Sequence, residues 1–248
     1  MSYERFAYLY DELMQEAPYD QWVDYVKGKI AKYRIEGRTL LDLACGTGEL
    51  STRFAKEGYY VTGIDLSEDM LAVAMAKSER LNLRIPFYQQ DMTELEGLKQ
   101  FDVIGIFCDS LNYLQSKEMV EKTLLNVFHY LKKGGLFIFD VHSVYKVNEV
   151  FMNQTFTFNE EQLAYIWNSF PGEFPNSVEH ELSFFVLDEE SGKYDRFDEL
   201  HFQQTYPVES YSDMIVHAGF EILEINADFE AKEPEFDSER IFFVVQKK

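Results

Sequence analysis

The chain has 248 residues, 46% of them hydrophobic and 27% charged, enough apolar material to bury a substantial core. Its 44 acidic side chains outnumber 23 Lys and Arg for a formal charge of −21, and such a surface repels a phosphate backbone, which argues against nucleic acid as a partner. No apolar run approaches the roughly 20 residues that cross a bilayer, and residues 1–10 lack a basic start and an apolar signal core, so a cytoplasmic protein is expected. Two cysteines, Cys45 and Cys108, make neither a disulfide framework nor a zinc spacing, so reduced thiols and no metal site are expected.

The amino-terminal stretch is dense in aromatics, including Tyr3, Phe6, Tyr8, Tyr10, Tyr19 and Trp22, with Phe6, Tyr10 and Leu13 at helical spacing. From 39 to 140, apolar runs alternate with amphipathic stretches, the pattern of a parallel α/β sheet. Strands are predicted at 39–44, 60–65, 84–89, 102–108 and 136–141, and helices at 49–56, 68–81 and 117–131. Ser67 and Ser116 stand where N-caps belong, and Lys132, Lys133, Gly134 and Gly135 are read as closing the third helix.

Residues 146–205 differ in character, holding 12 aromatics and 12 acids against 3 bases, in short alternating runs at 178–187 and 196–206. That is the signature of antiparallel sheet, with Glu189, Glu190, Ser191 and Gly192 as a hairpin turn. A helix at 207–218, ended by Gly219, and strands at 220–227 and 241–246 complete the chain. The expected fold is α/β: a doubly wound, mostly parallel seven-stranded sheet with an antiparallel C-terminal hairpin, plus a small inserted antiparallel β domain. Residues 1–145 and 206–248 form the first, discontinuous unit, and 146–205 the insertion.

The strongest chemical signal is the run Leu40, Leu41, Asp42, Leu43, Ala44, Cys45, Gly46, Thr47, Gly48, a buried strand entering two glycines and then a helix. Glycines there let the backbone approach a ligand and leave helix-terminal N–H groups free. Asp65 closes the next strand, where a carboxylate can accept from both hydroxyls of a ribose. A dinucleotide fingerprint would want a third glycine at the position that is Ser51 here, which weakens the pyrophosphate reading.

These residues resemble the class I S-adenosylmethionine-dependent methyltransferases. DLACGTG at 42–48 is similar to their first motif, VTGIDLSEDML at 61–71 to their second, Gln90, Asp91 and Met92 to their third, and FDVIGIFCDSLNYL at 101–114 to their fourth. The likeness is strong across 38–140 and thin elsewhere. It implies a Rossmann-like unit that takes S-adenosyl-L-methionine from Asp42, Ala44, Cys45, Gly46, Thr47 and Gly48, then Asp65, Leu66 and Met70, then Gln90, Asp91 and Met92, then Cys108 and Asp109. An amino-terminal arm would add Tyr10 and Tyr19, with Tyr3 alongside. Gly46 and Gly48 would lie along the methionine part, Asp65 on the ribose, and Asp91 with Met92 at the adenine. Ala44 departs from the family's G-x-G-x-G, and Asp42 reads equally as a cofactor contact or as a strand-end acid receiving N–H groups.

Methyl transfer needs placement above all, because the sulfonium already activates its methyl group. A general base is needed only when the nucleophile arrives protonated, and the candidates are Asp109, Asn112 and His142, with Tyr113 and Asp140 beside them. No Asn-Pro-Pro-Tyr run is present, which disfavours amide and base nitrogens as acceptors. His142 reads equally as a loop histidine bonded to backbone, His180 and His201 are not expected to reach the site, and His129 and His217 are read as structural. A small-molecule acceptor under a β lid is expected, with the lid's acidity hinting at an amine. The alternatives are a nicotinamide-dependent oxidoreductase on the same sheet, or a non-catalytic binding protein whose acidic insertion docks a basic partner.

Overall fold

The computed structural model describes residues 17–248. In chain order the elements are α1 (Tyr19–Lys32), β1 (Thr39–Leu43), α2 (Glu49–Lys56), β2 (Tyr60–Asp65), α3 (Glu68–Arg80), β3 (Phe87–Gln89), β4 (Phe101–Ile106), α4 (Lys117–Tyr130) and β5 (Leu131–His142). Strands β6 (Thr155–Asn159), β7 (Leu163–Pro171), β8 (Ser177–Asp188) and β9 (Lys193–Gln204) follow, then α5 (Val208–His217), β10 (Phe220–Ala227) and β11 (Arg240–Lys247).

Because successive strand residues face opposite sides, runs apolar on both faces must be covered on both, and the first sheet is covered so. Leu41, Leu43, Ile104, Ile106, Phe137 and Phe139 pack toward α4 and α5. Leu40, Val103, Leu136 and Ile138 pack toward Val26, Phe54 and Ala74 of α1, α2 and α3. The strand order is β10-β11-β5-β4-β1-β2-β3, parallel from β5 to β3 and antiparallel at β11 and β10. The chain winds outward from β1 through β2 and β3, then returns to β4 on β1's other side. That reversal opens a crevice at the carboxyl ends of β1 and β4, where doubly wound sheets bind ligands.

Local chemistry sets the element ends. The Ser67 and Ser116 hydroxyls accept from the backbone N–H groups of Met70 (3.2 Å) and Met119 (3.3 Å), capping α3 and α4. Two predicted boundaries differ. The strand expected at 84–89 is only β3, since Pro86 has no N–H to give a ladder and serves by its carbonyl, which accepts from Gly63 (3.0 Å). Residues 132–135 do not close a helix. α4 stops at Tyr130, Leu131 already pairs with Phe101, and the chain bulges through Gly134 (φ +80°) before pairing resumes at Val103 and Leu136. Lys132 is held in that bulge by Asp102 (2.9 Å).

The second sheet, β6-β7-β8-β9, is antiparallel throughout. β8 and β9 pair from Ser177 with Gln204 to Asp188 with Lys193, and Gly192 (φ +66°) lies in the turn between them. A turn of π-helix, Lys146–Phe151, leads into this sheet, and its root is a small core of Val147, Phe151 and Val178 joined by Phe156 and Trp167. Among the described residues no helix is long and apolar enough to cross a membrane.

Candidate active site

The bend after β1 takes left-handed backbone at Ala44 (φ +61°), Gly46 (φ +53°) and Gly48 (φ +72°). Two of the three positions are glycine, and Ala44 takes the conformation at a cost of about 1–2 kcal/mol. The two glycines serve different ends. A Cβ on Gly48 would stand 2.9 Å from Ala74 Cβ, so its absence lets α3 close on the bend. Among the described residues a Cβ on Gly46 would meet nothing within 4 Å, so its absence leaves backbone open to approach. Thr47, between them, is buried, with Lys77 Nζ 3.4 Å from its hydroxyl.

Asp42 and Ser51 face each other beneath the bend, both buried, and the Ser51 hydroxyl donates to Asp42 Oδ2 at 2.5 Å. Burial, aided by the neighbouring Asp65 carboxylate and opposed by Ser51, pushes the Asp42 carboxyl up to about 7. Ser51, standing where a dinucleotide fingerprint has glycine, therefore supplies a hydrogen bond that glycine could not. The half-buried Cys45 and Cys108 are free thiols, and burial raises both well above the ordinary range.

Asp65 at the end of β2 is fixed by two backbone donors: Gly46 N–H to Oδ2 (2.7 Å) and Ser67 N–H to Oδ1 (2.9 Å). Each oxygen keeps a further acceptor direction. Burial raises its pKa, against the opposing backbone bonds of Ser67, Gly46 and Leu66. Leu66 beside it is 65% exposed, an apolar surface at the strand mouth. Gln90 donates its backbone N–H to Asp65 O (3.1 Å), which sets 90–92 next to 65–66. Within that loop Asp91 Oδ1 accepts from Thr93 N–H (2.7 Å) and hydroxyl (2.8 Å), the Gln90 amide is clasped by the Glu96 backbone, and Met92 packs on the core. Met70 sits in the first turn of α3. Tyr19 is buried in α1 against Trp22, with Arg53 over its ring at 5.7 Å. Tyr3, Phe6, Tyr8, Tyr10 and Leu13 lie outside the described residues.

At the ends of β4 and β5 the backbone turns left-handed at two consecutive non-glycine residues, Cys108 and Asp109 (both φ +53°), a strained geometry held by its surroundings. Buried Asp140 does the holding. It accepts from the Cys108 and Asp109 N–H groups (3.0 Å each) and from Trp22 Nε1 (2.8 Å), and it pairs with Arg240. Arg240 reaches Asp109 Oδ1 with its other nitrogen (3.0 Å), while Asp109 Oδ2 faces His142 Nε2 (3.2 Å) and accepts from Gln203 Nε2 (2.9 Å). Burial pushes the Asp109 carboxyl up, but the facing His142 ring, the Arg240 guanidinium and the Gln203 amide outweigh it and hold it well below the usual range. Gln203 Oε1 meets His180 Nε2 (3.3 Å), and Trp167 Nε1 donates to His180 Nδ1 (2.9 Å). Burial pulls His180 down to about 4, so it is neutral near pH 7.

The fold brings the predicted candidates Asp109 and His142 within 3.2 Å of each other and adds Arg240, Gln203 and His180, which the sequence reading did not place with them. His180 joins the cluster through Gln203, against the expectation that it stays clear. Alternation along β8 puts it on the face shared with Val178 and Phe184, a signal present in the pattern itself. The Asn112 amide donates to Gln204 O (2.8 Å) and to Tyr211 Oη (3.4 Å) and accepts from His142 N–H (2.9 Å), stitching β9 to β5. Tyr113 Oη and His201 Nδ1 lie 3.3 Å apart, a second link across the two sheets. Among the described residues there is no group of three or more His, Cys, Asp or Glu able to hold a metal ion.

A cavity of about 850 Å³ lies elsewhere, between α5, β10 and the 233–238 loop, walled by Tyr206, Tyr211, Ile222 and Phe236. It includes neither the bend nor Asp65 nor Asp109, and the strained, polar carboxyl edge is the better chemical site.

Residues 40–135 match a family model described as a methyltransferase domain. The whole chain is 52% identical to a provisionally named methyltransferase of Geobacillus sp. (strain WCH70), covering all of that protein. It is 50% identical to YqeM of Bacillus subtilis (strain 168), also provisionally named a methyltransferase, covering 98% of it. The crystal structure of an S-adenosylmethionine-dependent methyltransferase from Clostridium acetobutylicum ATCC 824 has the same fold, with a TM-score of 0.90 and 32% identity over 99% of this chain and 98% of that one.

Proposed function

Because the chain belongs to the S-adenosylmethionine-dependent methyltransferases, we propose that it moves the methyl group to a small-molecule acceptor seated between the carboxyl edge of the first sheet and the second sheet. The residues present fit the cofactor: an open backbone cradle at Gly46, a carboxylate with acceptor capacity left at Asp65, and exposed apolar surface at Leu66. When bound, S-adenosyl-L-methionine supplies an electrophilic methyl group on sulfur. In this reading the bend from Ala44 through Cys45, Gly46, Thr47 and Gly48, with Asp42 beneath it, holds the amino-acid part. Asp65 accepts from the ribose hydroxyls. Leu66, Met70, Gln90, Asp91 and Met92 border the adenine, and Cys108 with Asp109 faces the sulfur. Tyr19 backs the pocket from α1, and Tyr10, outside the described residues, is a further proposed contact.

The observation that carries the acceptor reading is the bond from Gln203 of β9 to Asp109, which docks the second sheet on the strained turn where the fourth motif ends. On that basis 1–145 and 206–248 act as the cofactor-binding unit in the cytoplasm, and 146–205 as a lid that excludes water and shapes specificity. A protein of Rickettsia bellii named for ubiquinone biosynthesis O-methylation, 29% identical over 118 residues, supports a small acceptor. None of these relatives supports the nicotinamide or non-catalytic readings. The test is transfer of a radiolabelled methyl group from S-adenosylmethionine to simple phenols, alcohols and amines, to a cell extract's small-molecule fraction, and to its protein and nucleic-acid fractions. Label in small molecules is expected, and label confined to macromolecules rejects the reading.

A further inference from the structure

We propose that His142 is the general base of the reaction, accepting through Nδ1 the proton that an O–H or N–H acceptor sheds, with Asp109 positioning its ring from Nε2; this rests on the acceptor site proposed above. His142 ends β5 and is 5% exposed. Its backbone N–H is tied to Asn112 Oδ1 (2.9 Å), its ring packs edge-to-face on Phe151 (5.2 Å), and its Nε2 faces Asp109 (3.2 Å). The residue is thus held at three points, two of them on the ring, yet among the described residues Nδ1 is buried with no hydrogen-bond partner. Folded proteins rarely leave such an atom unpaired, and a catalytic role is one of the few reasons for it.

The surroundings decide which nitrogen carries the proton. Asp109, ionised between Arg240 and Gln203, can only accept, so the ring proton belongs on Nε2 and Nδ1 presents a lone pair. The neighbours are less suited. Both nitrogens of His180 are occupied by Trp167 and Gln203, Asp109 is too weak a base, and the Asn112 amide does not titrate. Phe151, the ring packed on His142, belongs to the Lys146–Phe151 turn that leads into the second sheet.

The step balances simply. The acceptor's lone pair bonds to the methyl carbon, the carbon–sulfur bond breaks with its pair staying on sulfur, and the acceptor's proton passes to Nδ1. The imidazolium formed faces Asp109 across Nε2, with Arg240, neutral His180, Cys108 and Tyr113 among the titratable groups near Asp109, His201 near His180 and Asp140 behind Arg240. Release of the proton to water restores the base.

Two experiments test this. In ¹⁵N-histidine-labelled protein, with His142→Gln to assign the signal, two-bond couplings are expected to show the Nε2–H tautomer, becoming mixed in Asp109→Asn. A pure Nδ1–H tautomer overturns the proposal, whether or not an acceptor has been found. On an acceptor labelled in the screen above, His142→Gln is expected to lower kcat by about 100- to 10,000-fold, with S-adenosylhomocysteine affinity kept within about twofold, and free imidazole is expected to restore part of the turnover of His142→Ala. A kcat within about threefold of wild type overturns the base. Failure of every small molecule to accept label rejects the acceptor reading instead, and leaves the tautomer to decide the proposal.

Discussion

Asp42→Asn should remove a pH dependence built into the bend. In the folded chain burial and the nearby Asp65 raise the Asp42 carboxyl from 3.8 to about 7, while the unfolded chain titrates at the ordinary value. Between those two values the folded state keeps a proton that the unfolded state releases. The stability this gives is fully present below the unfolded value and is lost as pH rises through the folded one. Integrated over that interval, the loss is about 4 kcal/mol, and about 2 kcal/mol of it falls between about pH 5.5 and 8. Asparagine does not titrate there and still offers an oxygen to the Ser51 hydroxyl. Urea unfolding of both proteins, followed by circular dichroism at the two pH values, reads the difference directly. The stability of the variant relative to wild type should rise by about 2 kcal/mol on going to the higher pH. A difference constant to within about 0.5 kcal/mol would show that Asp42 does not hold that proton, and the electrostatic reading of the bend would fail.

Arg240→Met strands buried Asp140 and half-buried Asp109, and should cost about 3–5 kcal/mol at neutral pH. Because the folded Asp109 carboxyl is held low, its contribution is present above the ordinary carboxylate range and lost in acid, so the deficit should shrink on acidification; an unchanged Tm refutes the pairing. Gly48→Ala, which sets a Cβ 2.9 Å from Ala74 at φ +72°, should lower stability by about 2 kcal/mol. Gly46→Ala meets no such neighbour, so in thermal unfolding it should cost about 1–2 kcal/mol, while calorimetry shows a larger loss of S-adenosylhomocysteine affinity. Asp65→Ala should weaken that affinity by about 1.5–3 kcal/mol, the loss of charge-assisted hydrogen bonds, and unchanged affinity rejects the ribose role.

The layered sheet was legible because each of its strands is a separate local pattern: an apolar run, then a cap such as Ser67 or Ser116, then a helical stripe. The bend was legible for the same reason, since the positive φ angles at Gly46 and Gly48 are demands the residue type announces. Boundaries failed where a neighbour decided them. Lys132 to Gly135 look like a helix terminus, but pairing of Leu131 with Phe101 and the reach of Lys132 to Asp102 draw them into β5. The cluster at the carboxyl edge was only half visible. Asp109, Asn112 and His142 follow strands of the first sheet, whereas Gln203, His180 and Arg240 arrive from 38 to 131 residues away in sequence. Their meeting depends on how the second sheet docks, which no local pattern encodes. Ser51 was informative by its difference from glycine, which argued against a dinucleotide, and its partner in the fold is Asp42.

A crystal structure with S-adenosylhomocysteine bound bears on all of this at once. The ribose should lie on Asp65, the adenine between Leu66 and Met92, and the sulfur along the Gly46 bend, turned toward Asp109 and His142. Density for the compound in the cavity between α5 and β10, with the bend left bare, would contradict the site and the chemistry assigned to it.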